Sequence, residues 1–192
     1  MEAVGGRLGI AESSLPPVAF VAVYGFTDTN VAAIVAVVVA VVFALARLAR
    51  RETPRHALTG LVGIGFAAFV AARSGKAEDF FLPGLLANAA FATALLVSVA
   101  IRRPLIGYIL GQLDGKGVAW RDDPLRVRAF MRASLMWAAL FGLRLAVQFP
   151  LYLAGAVSAL GVARTAMGIP LFALGLWLTY RLVRPPSDDA AR

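Results

Sequence analysis

The sequence contains no cysteine and a single histidine, His56. Disulfides, thiol nucleophiles and cysteine-based metal sites are therefore excluded. His56 sits in a basic stretch with no nucleophile motif beside it. Acidic residues are scarce, with 11 Asp and Glu against 19 Lys and Arg, and lysine is confined to Lys76 and Lys116. The chain also lacks H-E-x-x-H, G-x-S-x-G and any repeated Asp pair suited to metal and diphosphate. Asp114-Gly115-Lys116-Gly117 lacks the spacing of a phosphate loop and reads as a turn. Neither an enzyme nor a cofactor is expected from these residues.

What the sequence has in abundance is apolar length. Hydrophobic residues make up 60% of 192, and the mean hydropathy is +0.77. Soluble domains are usually about 45–50% apolar. From Phe80 to Ile101 no side chain is charged, and the run stops at Arg102-Arg103. At about 1.5 Å of rise per residue, such a helix crosses the roughly 30 Å hydrocarbon core of a bilayer. The net charge of +8 is not a nucleic-acid signature, because the basic residues cluster between apolar runs, as headgroup anchors do.

The expected fold is all-α, a polytopic transmembrane helical bundle. It has five long spans, at about 28–47, 56–73, 79–102, 128–148 and 164–181, plus a short N-terminal membrane segment at 15–26. Residues 1–14 read as a polar N-terminal tail, 15–184 as the bundle, 103–127 as a cytoplasmic loop and 185–192 as a disordered C-terminal tail. Pro150 is expected to end the fourth span, since proline lacks the backbone donor. The remainder of 145–163 then forms a short helix or loop at the membrane face. Ser13, Ser14, Pro16 and Pro17 suit the first turn of segment 15–26. Two readings of that segment stay open, a short tilted span and a re-entrant half-helix, and with them the side of the N-terminus. In the loop, Asp123 and Pro124 are expected to open the fourth span as cap and first helical residue.

Basic residues gather at alternate ends of the spans. Arg47, Arg50, Arg51 and Arg55 follow the first, Arg102 and Arg103 the third, and Arg181 the fifth. The positive-inside rule places these ends, and the C-terminus, in the cytoplasm. Arg47, Arg50, Arg51, Arg102, Arg103 and Arg181 are the expected headgroup anchors. Small residues recur at helical spacing: Ala32, Ala36, Ala40 and Ala44; Thr59, Gly63, Ala67 and Ala71; Ala90, Ala94 and Ser98. Such stripes let helix backbones approach closely.

Arg144 stands inside the fourth span, where a charge costs about 2.5–3.5 kcal/mol near the centre. Gln148 follows one turn later. By topology Asp28, Asn30, Glu78 and Asp79 lie at outer helix ends, and Asn88 lies within the third span. Asp28, Asn30, Glu78, Asp79, Asn88, Arg144 and Gln148 form the candidate polar or transport cluster. The alternative for Arg144 is an arginine that snorkels to headgroups or pins two helices.

At Ala77-Glu78-Asp79-Phe80-Phe81-Leu82-Pro83-Gly84, then Asn88-Ala89-Ala90, then Arg102-Arg103-Pro104-Leu105-Ile106-Gly107 and Leu110-Gly111, the chain resembles a family of uncharacterised multi-pass membrane proteins of high-GC bacteria. The likeness runs from about Leu15 to Val183. More distantly the chain is similar to the intracellular septation protein A (YciB) family, through Arg103-Pro104-Leu105-Ile106, Leu110-Gly111 and Trp137. That resemblance implies a role in cell-envelope and division processes and supplies no catalytic residues. The expected protein is a multi-pass component of the bacterial cytoplasmic membrane, acting as a scaffold through helix contacts. The alternative is a small transporter or channel subunit using the Arg144 and Asp28 region. Its expected partners are anionic lipid headgroups, with other membrane proteins or a second copy of itself as candidates, and not nucleic acid.

Overall fold

The computed structural model describes residues 6–49, 54–115 and 117–183, with side chains from residue 15 on except those of 47 and 54–57. The elements in order are α1 (Gly6–Tyr24), α2 (Thr29–Ala49), α3 (Pro54–Ser74), a 3₁₀ turn (Ala77–Phe80), α4 (Leu82–Ala100), α5 (Leu105–Leu113), a second 3₁₀ turn (Ala119–Asp122), α6 (Pro124–Leu153), α7 (Val157–Ala166) and α8 (Ile169–Val183). No strand occurs among the described residues. Arg50 and Arg51, Lys116 and the tail 184–192 lie outside them, as do the side chains of Arg47, Arg55 and His56.

Among the described residues, four stretches are long and apolar enough to cross a membrane: Thr29–Ala46, Leu82–Ala100, Pro124–Leu153 and Val157–Val183. The count does not quite match the five long spans expected. The segment expected at 56–73 lies within α3, a helix of 21 residues, of which Leu58–Ser74 is the apolar part described with its side chains.

Two boundaries also move. Helix α1 begins at Gly6, so Pro16 and Pro17 lie in its interior rather than its first turn. Helix α6 does not stop at Pro150 but continues to Leu153. Proline removes a single donor there, while its fixed φ suits the helix. The stop is Gly155, at φ 63°. Its N–H bonds the Tyr152 carbonyl at 3.0 Å, and the Ala156 N–H bonds the Leu151 carbonyl at 3.0 Å, the paired bonds of a Schellman cap. The start of α6 is as expected: Asp123 Oδ1 accepts from the Leu125 N–H at 2.8 Å, with Pro124 in the first helical position.

The chain divides into two units. The first comprises Met1–Leu86 with Val147–Ala166. Here α2 packs against α1 and α3, and α7 against α1 and the Ala77–Phe80 turn. Ala32 and Ala36 are fully buried and Ala40 and Ala44 nearly so, whereas Ile34 on the opposite face of α2 is 63% exposed. Val38, Val42 and Leu45 are exposed on that side as well. Ala67 and Ala71 of α3 are buried as their stripe predicts, but Thr59 and Gly63 are exposed. Phe20 centres the core, stacked on Phe80 at 4.0 Å and edge-on to Phe81 at 6.2 Å.

The second unit comprises Ala87–Ala146 with Met167–Arg192. Leu95, Trp137 and Ala138 form its core, with Leu105, Ile106, Leu140 and Phe141 packed around them. The stripe expected on this helix is displaced. Ala90 and Ala94 are exposed, while Ala92, Leu95 and Ser98 are buried. Trp137 Nε1 donates to Thr179 Oγ1 at 2.9 Å, and that hydroxyl donates to the Gly175 carbonyl at 2.8 Å. Ser98 Oγ accepts from the Leu105 N–H at 3.2 Å, fixing α5 to the end of α4.

Within Pro104–Gly111, the glycines have a packing reason. A Cβ on Gly107 would lie 2.7 Å from Trp120 Cζ2, and one on Gly111 would lie 2.0 Å from the Gly117 carbonyl oxygen. The two glycines, one turn apart, make the seat on which the Trp120 ring rests. Ala36→Leu is expected to destabilise the protein by about 1–3 kcal/mol through overpacking, read as a lowered melting temperature in detergent. Ile34→Leu should leave that temperature unchanged.

Candidate functional site

The polar residues singled out in the sequence fall into separate local arrangements. Asp28 caps α2: its Oδ1 accepts from the N–H groups of Asn30 at 2.8 Å and Val31 at 3.0 Å. That satisfies donors a helix start leaves open. Asn30 is exposed and takes part through its backbone.

Glu78 and Asp79 lie in the 3₁₀ turn before α4. The turn is held by the Asp79 N–H bonding the Lys76 carbonyl at 3.2 Å and the Phe81 N–H bonding the Glu78 carbonyl at 2.9 Å. Asp79 is 8% exposed, and Tyr152 Oη donates to its Oδ1 at 2.5 Å. A buried carboxylate requires such a donor. The Glu78 carboxylate lies beside Gly155, its Oε1 4.0 Å from where a Cβ would stand. Arg164 of α7 borders the same region, its guanidinium 5.8 Å from the Phe81 ring centroid. It also presses on Gly84, where a Cβ would lie 2.3 Å from Nη1. The run Glu78-Asp79-Phe80-Phe81-Leu82-Pro83-Gly84 thus supplies a carboxylate for Tyr152, two core rings and a gap for an arginine.

Gln148, in α6, is buried in the first unit. In the second unit, Asn88 is half-buried. Arg144 is half-buried too, and its Nη2 donates to the Gly168 carbonyl at 2.7 Å. The guanidinium stands 5.9 Å from the Phe141 ring centroid. Gly168 also receives the Phe172 N–H at 3.1 Å. Arg144 therefore fastens α6 to the turn between α7 and α8, and a backbone dipole compensates its charge.

Of the expected cluster, the structure brings Glu78 and Asp79 together and adds Tyr152, which the sequence reading omitted. Tyr152 lies one turn beyond Gln148 on the same face, so a helix carried past Pro150 would have revealed it. Arg164 was read only as a span end. Among the anchors, Arg102 and Arg103 are exposed, and Arg181 lies over the Trp177 ring at 5.2 Å. Arg102 has φ 54°. Its N–H bonds the Val99 carbonyl at 2.9 Å, and the Arg103 N–H bonds the Ser98 carbonyl at 2.8 Å, so the Schellman cap of α4 ends on an arginine in the left-handed region.

A family model covers residues 4–190 of this chain. The chain belongs to the DUF3159 family, proteins of unknown function. No curated protein and no solved structure matches it. Membership extends the resemblance over almost the whole length, both units included. The family description carries no activity, and the apolar helices are compatible with an integral membrane protein.

Tyr152→Phe leaves Asp79 buried without its donor. It is expected to cost about 1–3 kcal/mol, measured by denaturant titration in detergent micelles. In the Asp79→Ala background the same change should cost far less, because the two groups act as one unit.

Proposed function

We propose that this protein is a non-enzymatic, multi-pass scaffold of the bacterial cytoplasmic membrane with its C-terminus in the cytoplasm. It acts through helix contacts with partner membrane proteins in envelope or division processes, as the distant likeness to the septation family suggests. One observation carries this reading. Small residues of α2 and α3 are turned inward while Ile34, Val62, Phe66 and Phe69 are exposed, and Phe91, Phe172 and Trp177 are exposed in the second unit. Large apolar side chains on the outside suit lipid and neighbouring helices. The polar groups support the same view, since Asp28, Asp79 and Arg144 each have an internal partner. The orientation rests on the basic residues at alternate span ends.

A small transporter is the rival reading, favoured by the buried Asp79 beside Glu78, because intramembrane carboxylates mark ion and proton routes in many transporters. Proteoliposomes decide between the two. The scaffold reading expects proton and cation flux at the level of protein-free vesicles. It also expects discrete cross-linked protein adducts from photoreactive residues placed at Ile34, Phe69 and Phe91 in cell membranes. A flux abolished by both Asp79→Asn and Arg144→Leu would overturn it. A cysteine placed at Lys116 is unique in this chain and should be labelled only from the cytoplasmic side. Labelling from outside would reverse the orientation.

A further inference from the structure

In the second unit, α5, the Ala119–Asp122 turn and the first turns of α6 border a cavity of about 230 Å³ that is partly open to the surface. It is lined by Gly111, Asp114, Ala119, Trp120, Asp123, Arg126 and Phe130. At about 30 Å³ per water, the space would hold roughly seven waters. Drug-sized ligands take about 300 Å³ or more, so the occupant is a small polar group.

Trp120 makes this cavity more than a gap between helices. The residue is 4% exposed. Its ring is held on three sides: by Gly107 and Gly111 beneath, by Tyr108 edge-on at 5.5 Å and by Phe130 at 5.1 Å. Its Nε1 is buried with no hydrogen-bond partner among the described residues. The contrast is Trp137, whose Nε1 has Thr179. Buried indole donors normally find an acceptor, and an unmet one calls for an explanation such as an absent ion, water or ligand. The Nε1 edge of Trp120 lies 3.1 Å from where a Cβ of Gly111 would stand, and Gly111 is itself part of the cavity wall.

The remaining lining defines what fits. Arg126 and the indole N–H are donors. Asp114 and Asp123 are acceptors, with Asp123 Oδ2 3.6 Å from Arg126 Nε and its Oδ1 committed to the α6 cap. Two carboxylates oppose a purely anionic ligand, and a guanidinium with an indole N–H opposes a purely cationic one. A zwitterion of short span meets both.

Depth points the same way. Helix α4 ends at Ala100 and is followed by Arg102-Arg103, while α6 begins at Pro124. With 30 residues, α6 is about 45 Å long, so it extends past the roughly 30 Å hydrocarbon core. The cavity lies at its first turn, at headgroup level. The depth argument rests on the multi-pass reading above, whereas the lining chemistry does not.

We propose that this cavity binds a zwitterionic amino-phosphate group, the chemistry shared by phosphoethanolamine and the headgroup of phosphatidylethanolamine. A phosphate oxygen accepts from Trp120 Nε1 and Arg126, and the primary ammonium donates to Asp114.

The chain has three tryptophans, so the full-length protein labelled with ¹⁵N-tryptophan gives three indole N–H signals. Trp177→Phe assigns one and Thr179→Val displaces that of Trp137, which leaves Trp120. Nanodiscs of phosphatidylcholine alone are compared with nanodiscs containing phosphatidylethanolamine or phosphatidylglycerol, and the detergent-solubilised chain is titrated with phosphoethanolamine. The Trp120 signal should move with phosphatidylethanolamine, with phosphoethanolamine, or with both, and not with the other two lipids. A response to the lipid alone identifies a lipid site, and a response to phosphoethanolamine alone identifies a soluble ligand. Asp114→Asn should weaken the response about tenfold, the loss of roughly one charged hydrogen bond, leaving the other two signals in place. A Trp120 signal unmoved in both arms, an equal response to phosphatidylglycerol or phosphatidylcholine, or an Asp114→Asn response equal to the parent would overturn the proposal. Failure of the chain to enter nanodiscs would sink the multi-pass reading instead, and the phosphoethanolamine titration would still decide this one.

Discussion

The approach of α2 to its neighbours is set by methyl groups. Ala32, Ala36, Ala40 and Ala44 leave the inner face of α2 almost flat, so the backbones of adjoining helices come close enough for dispersion contacts along their length. In hydrocarbon, apolar burial gives no drive for one helix to prefer another over lipid. Close packing and internal hydrogen bonds are what remain, and both recur here. Phe20, Phe80 and Phe81 are buried together in the first core, and Gly107 and Gly111 let an indole lie directly on a helix backbone.

A second constraint follows from the first. A polar group buried among apolar helices needs an internal partner, and an exposed helix start gains from one too. Asp28 takes the N–H groups of its own helix, Asp79 takes the Tyr152 hydroxyl, Trp137 takes Thr179, and Arg144 takes a carbonyl. The bonds of Asp28, Asp79 and Arg144 place charge at helix ends and turns, where backbone groups are open. They also explain why residues that look like a transport site in one dimension can act as fasteners in three. Trp120 Nε1 departs from this pattern, and that departure is what separates its cavity from ordinary packing.

Much of the architecture was legible because length and charge act locally. The uncharged run before Arg102 is a long helix in fact, and Asp123-Pro124 opens α6 as its residue types require. What was not legible depended on contrasts that a membrane chain lacks. In water an exposed face is polar, so the inward register of a helix can be read. In α4 both faces are apolar, and Ala90 and Ala94 look as suited to the interior as Ala92 and Leu95. Pro150 misled for a different reason: a single lost donor is a weak stop, and the conformation of Gly155 is the strong one. That shift of a few residues hid Tyr152 and with it the partner of Asp79. The seat of Trp120 joins residues from separate elements, which no local pattern records.

Arg102 combines two roles that usually fall to different residues. A left-handed backbone costs a non-glycine residue about 1–2 kcal/mol, and glycine is the usual occupant of that cap position. Here the position carries a cation at the end of an apolar helix. The steric term and the electrostatic term therefore oppose one another at one residue. Glycine there would relax the chain and remove a cation from the end of an apolar helix, so the residue with the easiest backbone is not the one that carries the charge. Backbone ease and charge are in competition at that turn, and the arginine marks the side on which the balance rests.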